Sequence, residues 1–349
     1  MSLINCTSKT IVLIPHNRPT LGLEEEAAAL RVIRSGWVAK GKEVELFENE
    51  FCEFMGLPKG HAAAVSSGTA ALFLALVMLG GSGKNVGSPG YVCSALRNAV
   101  DMSEGKNVLV DVGHNSPNID LVKLSEENPQ IAIVPHMFGI PINISNLKKI
   151  PIIEDCAHAL GARVNGKPVG LEGEFGIFSF YATKMITSGG FGGMLISKNK
   201  KHVDEVIDYI VYDKKNDSNR RFNFQMGDLQ AAIGREQLRK LPNFLERREK
   251  IFRKYKDAGL DILDVSPEDS QILQPVRYRA AMKTKDQIKI MKSLKNSGII
   301  TELLNNEWIL EQNPTKFPNS LNLVHNIISL PIYPSLSDEN VEKIIAALL

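Results

Sequence analysis

The sequence predicts an α/β chain: a large domain with a mostly parallel sheet between helices, then a smaller C-terminal domain of mixed α and β. Three observations carry this reading. Between about residue 60 and residue 200, short apolar runs alternate with helical segments. Several of the runs are apolar at consecutive positions, the pattern of strands covered by helices on both faces. The 349 residues also leave room for about two domains. They are placed at 1–240 and 241–349.

In order, the strand candidates are Asn107 to Asp111, Gln130 to Pro135, Lys149 to Glu154, Phe175 to Phe180 and Gly193 to Ser197. The apolar stretch Ala62 to Leu79 is interrupted by Ser66-Ser67-Gly68-Thr69, and Ala70 to Leu79 reads as a buried helix too short to span a bilayer. Gly227 to Tyr255 reads as helical but broken near Pro242, with the charges of residues 245 to 250 on a solvated face. A final helix starts at Ser337, with Asp338 and Glu339 in its first turn.

Composition narrows the function. Basic and acidic side chains number 41 and 39, which leaves no electrostatic footprint for nucleic acid or an anionic membrane. The four cysteines lie far apart without a C-x-x-C pair, against a disulfide scaffold or thiolate zinc site, so no metal is expected. The polar start, Met1 to Thr10, carries no targeting pattern, and a cytoplasmic location is expected. Two nucleotide-binding decoys fail. Gly80 to Lys84 lacks the first glycine and the final Ser or Thr of a P-loop, and Gly189 to Gly193 lacks G-x-G-x-x-G spacing.

Four local features converge on one chemistry. Ser67, Gly68 and Thr69 precede a strong apolar helix, so free N–H groups there suit a phosphate, although an ordinary serine cap would look the same. Asp155 ends an apolar run, where open α/β sheets bind ligands, although a structural carboxylate also fits. His158 follows by three residues and would share a helical face with Asp155 if a helix starts there. Lys184 stands beyond the end of Phe175 to Phe180, where a lysine is either a surface charge or an amine for an aldehyde cofactor. Together they supply an anion cradle, an acid for a pyridine nitrogen and an amine, the needs of pyridoxal phosphate.

The motifs resemble the DegT/StrS group of sugar aminotransferases. The matching segments are Ser35-Gly-Trp-Val-Ala-Lys-Gly41, Ser67-Gly-Thr-Ala-Ala-Leu72, Val134-Pro-His-Met-Phe-Gly139 and Glu154 to Ala162. Phe178-Ser-Phe180 with Thr183-Lys184, Leu229 to Gly234, and Leu330-Pro-Ile-Tyr-Pro334 follow in order. The resemblance implies the aspartate-aminotransferase-like fold type I, with a seven-stranded sheet. It implies that Lys184 is the Schiff-base lysine and that Asp155 pairs with the pyridine nitrogen. Gly68, Thr69 and Ser179 would hold the phosphate, with Ser67 beside them. Tyr91 would set an aromatic ring against the cofactor, His158 would touch its phenolic oxygen, and Asn223 would reach the phosphate of a neighbouring subunit. A homodimer with shared active sites follows, as does a ping-pong transfer from glutamate to a keto sugar linked to a nucleotide. Two departures stand out: Ser188 to Gly193 is one residue longer than the family's G-E-G-G, and Asn223-Phe-Gln-Met226 lacks the arginine of N-Y-R-M. Amination of a cyclitol, or a binding protein without catalysis, are the alternative readings.

Overall fold

The computed structural model describes residues 13–147, 149–305 and 308–349. Met1 to Thr10, read above for targeting, lie outside the described residues. Helices α1 (Leu23–Ser35) and α2 (Lys42–Met55) come first, then β1 (Ala62–Val65) and α3 (Gly68–Met78). Next are β2 (Asn85–Pro89), α4 (Ala95–Met102), β3 (Lys106–Val110), α5 (Leu121–Glu126), β4 (Ile131–Pro135) and β5 (Ile152–Asp155). A short hairpin, β6 (Arg163–Val164) and β7 (Lys167–Pro168), leads to β8 (Phe175–Ser179) and β9 (Gly193–Ile196). Helices α6 (Lys200–Ile210) and α7 (Asp228–Asp257) follow.

Seven strands form one sheet in the order β1-β9-β8-β5-β4-β2-β3. Only β9 runs against the others: it is antiparallel to both β1 and β8, while the remaining pairs are parallel. The expected mostly parallel sheet is therefore present. Its strands are apolar at consecutive positions because both faces are covered. Every residue of β4, β5 and β9 is buried. Helix α3 packs on one face with α4 and α6, and α2 with α7 covers the other, where Phe47, Phe51, Phe178 and Phe180 interlock. Two sheet strands carry no local strand signal. β1 is Ala-Ala-Ala-Val, and β2 contains Gly87, Ser88 and Pro89, so neither has the β-branched run that marks its neighbours.

The remaining elements are β10 (Leu273–Gln274), β11 (Ala280–Lys283), α8 (Gln287–Asn296), β12 (Glu302–Leu303), α9 (Trp308–Glu311), α10 (Pro318–Asn326), β13 (Ile327–Leu330) and α11 (Asp338–Ala346). Strands β11, β13 and β12 make a second, antiparallel sheet, whereas β10 pairs back onto β6. The Ser337 side chain accepts from the Asn340 N–H, capping α11 as expected.

Helix α7 corrects one expectation, because it continues through Pro242 for 30 residues. The proline forgoes one backbone hydrogen bond, but continuing the helix buries apolar residues on both sides of it. Leu238 and Leu241 pack beneath the large sheet, and Ile251, Phe252 and Tyr255 pack under the small one. The Pro242 ring is exposed. Pro242→Ala should therefore regain the hydrogen bond and stabilise the protein by about 1–2 kcal/mol. Urea unfolding that shows no gain would sink this account of the helix.

Candidate active site

Three segments that are distant in sequence meet at one edge of the large sheet. Strands β1, β5 and β8 run in the same direction, so their carboxyl ends share that edge, where open α/β sheets bind ligands. Val65 and Ser179 both stand opposite Gly193 of β9, and Asp155 stands opposite Ile177. The start of α3, the end of β8 and the end of β5 thus lie side by side around a cavity of about 620 Å³. That volume falls within the roughly 300–1,000 Å³ of small-molecule sites. The approach of α3 to the sheet is close. A Cβ on Gly68 would stand 2.8 Å from that of Ser179, and one on Gly193 would run into the Ser67 carbonyl oxygen.

The Ser67 hydroxyl caps α3 by accepting from the Ala70 N–H at 3.1 Å. Among the described residues no acceptor meets the N–H groups of Gly68 and Thr69, and the Ser179 hydroxyl beside them lines the same cavity. An anion placed there would receive N–H and O–H donors together with the positive end of the helix. Asp155 is buried. Its Oδ1 accepts from the Ala157 N–H at 3.0 Å, and no donor among the described residues meets its other oxygen. Burial pushes this carboxyl up, against the pull of the Ala157 N–H, Lys184 and His136. A protonated ring nitrogen at the free oxygen would offset that cost.

Lys184 sits five residues past the end of β8, on a turn closed by its own N–H to the Tyr181 carbonyl at 2.9 Å. Its Nζ lies 5.3 Å from the centre of the Tyr278 ring. The return arm of this loop is the glycine-rich segment, which hydrogen-bonds back through the Gly190 and Gly192 carbonyls and enters β9. These residues fit pyridoxal phosphate: free donors for a phosphate, an unpartnered carboxylate oxygen for the ring nitrogen and an amine, all on one cavity.

His158 lines the cavity, though not as expected. No helix starts after Asp155. The chain makes turns there, so the residue reaches the site from a loop. Its ring stacks on Tyr278 at 4.2 Å and faces Phe138 at 6.4 Å. Burial, then the charges of Lys184 and Arg279, hold it well below the usual histidine range, so it is neutral. Tyr91 is not among the cavity-lining residues. It is fully buried, with its ring edge-on to Phe138 at 6.1 Å, and so it backs the aromatic stack. Asn223 is exposed and lies outside the cavity of its own chain, although Phe224 beside it accepts from the Ser66 N–H.

Sequence reasoning missed Tyr278 and Arg279, and it gave no role to His136 and Phe138, which lie in the matching Val134 to Gly139 segment. Phe138 stands at a φ of 59°, a strained conformation for a side chain of this size. The turn is held by Asn118, whose amide binds Met137 N–H and Ile140 carbonyl, and by His136. His136 accepts from the Ile142 N–H at Nδ1, so its proton is on Nε2 and is donated to Glu154 at 3.0 Å. Glu154 also accepts from the N–H groups of Gly170, Glu172 and Gly173. The group His136, Glu154 and Cys156 could be read as a metal site. With both imidazole nitrogens and all four carboxylate lone-pair sites engaged, it is instead a hydrogen-bonded support behind Asp155.

An α/β sheet covered on both faces, with a lysine, a buried aspartate and free helix N–H groups lining one cavity, is the arrangement of a fold type I enzyme dependent on pyridoxal phosphate. The chain belongs to the DegT/DnrJ/EryC1/StrS aminotransferase family, which it matches over residues 19–349, and it is an aminotransferase. It is 31% identical, over 96% of both chains, to the spore coat polysaccharide biosynthesis protein SpsC of Bacillus subtilis (strain 168). Two solved structures share 26% identity with it. One is the aminotransferase TlmJ from Streptoalloteichus hindustanus, with a TM-score of 0.88 over 96% of this chain and 98% of that one. The other is S. venezuelae DesV in complex with a ketimine intermediate, with a TM-score of 0.86 over the same shares. Among the described residues no helix is long and apolar enough to cross a membrane.

Proposed function

We propose that this aminotransferase moves an amino group from glutamate to a keto sugar linked to a nucleotide, supplying amino sugars for a cell-surface polysaccharide. It would act in the cytoplasm as a homodimer with shared sites, each phosphate also reached by the neighbouring subunit's copy of Asn223. The observation that carries the chemistry is Lys184 at a cavity bounded by the start of α3 and the free oxygen of Asp155. The kinship with SpsC supports the polysaccharide role.

Bound pyridoxal phosphate supplies an aldehyde that accepts the amino group and a ring that withdraws electrons from the reacting carbon. The chain does the rest. Gly68, Thr69 and Ser179 bind the phosphate, and Ser67 holds the start of α3 in place for them. Asp155 keeps the ring nitrogen protonated. His158, neutral and stacked on Tyr278, stands ready to hydrogen-bond the phenolic oxygen. Lys184 Nζ removes the proton from the amino-bearing carbon of the donor, and in the second half-reaction delivers one to the former keto carbon of the acceptor.

Purified protein mixed with pyridoxal phosphate should turn yellow, and borohydride followed by peptide mapping should find the label on Lys184. L-glutamate should bleach the band, and a panel of nucleotide-linked keto sugars should restore it selectively. A label on any other lysine would overturn the site. A site that no keto sugar recharges would overturn the sugar substrate.

A further inference from the structure

We infer that Arg279 is the residue that recognises a carboxylate on the substrate. It follows Tyr278 just before β11 and lines the same cavity as Lys184. Its guanidinium lies over the Tyr278 ring at 4.8 Å, and Lys184 lies near that ring too, so one aromatic side chain holds both cations beside the reacting position.

Arg279 is the arginine on the wall of this cavity, and it has no acidic partner among the described residues. Arg277, two residues earlier, is paired with Glu249 and Asp264 at 2.7 and 2.6 Å. Arg221 and Arg235 are each held by two carboxylates. Among the described residues no carboxylate pairs with Arg279. Its Nη1 is steadied from behind by the His16 ring, at 3.2 and 3.1 Å from the two nitrogens. His16 is buried and anchored on the Ser329 hydroxyl at 2.8 Å, and Glu302 reaches that histidine, not the arginine. Burial, reinforced by Arg279, pushes His16 down to about 3, so the support is uncharged and adds no second positive charge beside the guanidinium.

A half-buried cation held in one orientation, with free donors on a cavity wall, matches a planar, bidentate anion. Carboxylate has that geometry. The phosphate cradle lies elsewhere, at the start of α3, so Arg279 serves the part of the cavity left to the substrate. This inference rests on the proposed site at Lys184. The carboxylate belongs either to the amino donor or to an acidic sugar acceptor.

The test is calorimetric titration of the cofactor-loaded protein with 2-oxoglutarate, with D-glucuronate and with D-glucose as the neutral control. Wild type, Arg279→Gln and Arg279→Lys are compared at equal thermal stability. Arg279→Gln should weaken one of the two acids by about 10- to 100-fold, the worth of a charge-assisted pair. Arg279→Lys should lose less, and glucose should be unaffected. A loss confined to 2-oxoglutarate identifies the donor's carboxylate, and one confined to glucuronate identifies an acidic acceptor. Equal acid affinities in wild type and Arg279→Gln, or a parallel loss for glucose, overturn the inference. Borohydride labelling of Lys184 on the same preparations reports separately on the underlying site.

Discussion

Replacing Lys184 with alanine is expected to lower transamination by roughly 10⁴-fold, the upper range for removing a general acid–base group. The fold should be nearly untouched, because the side chain is only partly buried and makes no ion pair among the described residues. Stability should stay within about 0.5 kcal/mol of wild type. The variant should still bind the cofactor through Gly68, Thr69, Ser179 and Asp155, but borohydride should no longer attach it to the protein. A small primary amine added to the buffer should restore part of the rate by standing in for Nζ. Full activity in Lys184→Ala would place the proton transfer on another group. A large loss of stability would make the lysine structural instead.

Glu154→Ala is expected to destabilise the protein by at least about 4 kcal/mol. Four donors, the N–H groups of Gly170, Glu172 and Gly173 and the Nε2–H of His136, would lose their acceptor in a buried place. Glu154→Gln should cost less, about 2–3 kcal/mol, since one amide oxygen still accepts while its NH₂ meets donors. The pH dependence separates charge from shape. Although burial opposes it, the hydrogen bonds and His136 hold this carboxyl below its ordinary value of 4.5. A carboxyl lowered on folding contributes stability that is present above its unfolded value and is lost as pH falls through the folded one. Wild type should therefore lose stability as pH drops below 4.5, and Glu154→Gln should lose correspondingly less. Urea unfolding at a series of pH values measures both. Parallel curves for the two proteins would mean that Glu154 carries no net electrostatic stabilisation.

Much of the proposed site was legible locally. Asp155 and Ser179 end apolar runs, Lys184 follows one, and Ser67 precedes an uninterrupted apolar helix. Each is a change of character within a few residues, which is what a strand end or a helix cap imposes on its own neighbourhood. Other features were hidden because their cause is remote. Strand β2 is built from Gly, Ser and Pro because it is pinned between β4 and β3, not because its residues favour extension. Pro242 reads as a helix break, yet α7 continues because both of its halves are buried. Asp228 illustrates the same point. It is the first residue of α7 but accepts from the N–H groups of Gly41, Glu43 and Val44, capping α2 almost two hundred residues earlier.

By itself, then, the sequence indicated the α/β class, five of the seven strands of the large sheet and the residues proposed here as amine, acid and anion cradle, because these signals depend on contacts within a few residues. The tertiary structure alone decided that β1 lies beside the reversed β9, which brings residues 67, 155 and 179 to one edge. It also turned Tyr91 into the support of an aromatic stack, and it delivered Tyr278 and Arg279 from beyond α7 to the same cavity. Those outcomes depend on strand order and on packing between distant segments, and no stretch of sequence carries the identity of its distant partner.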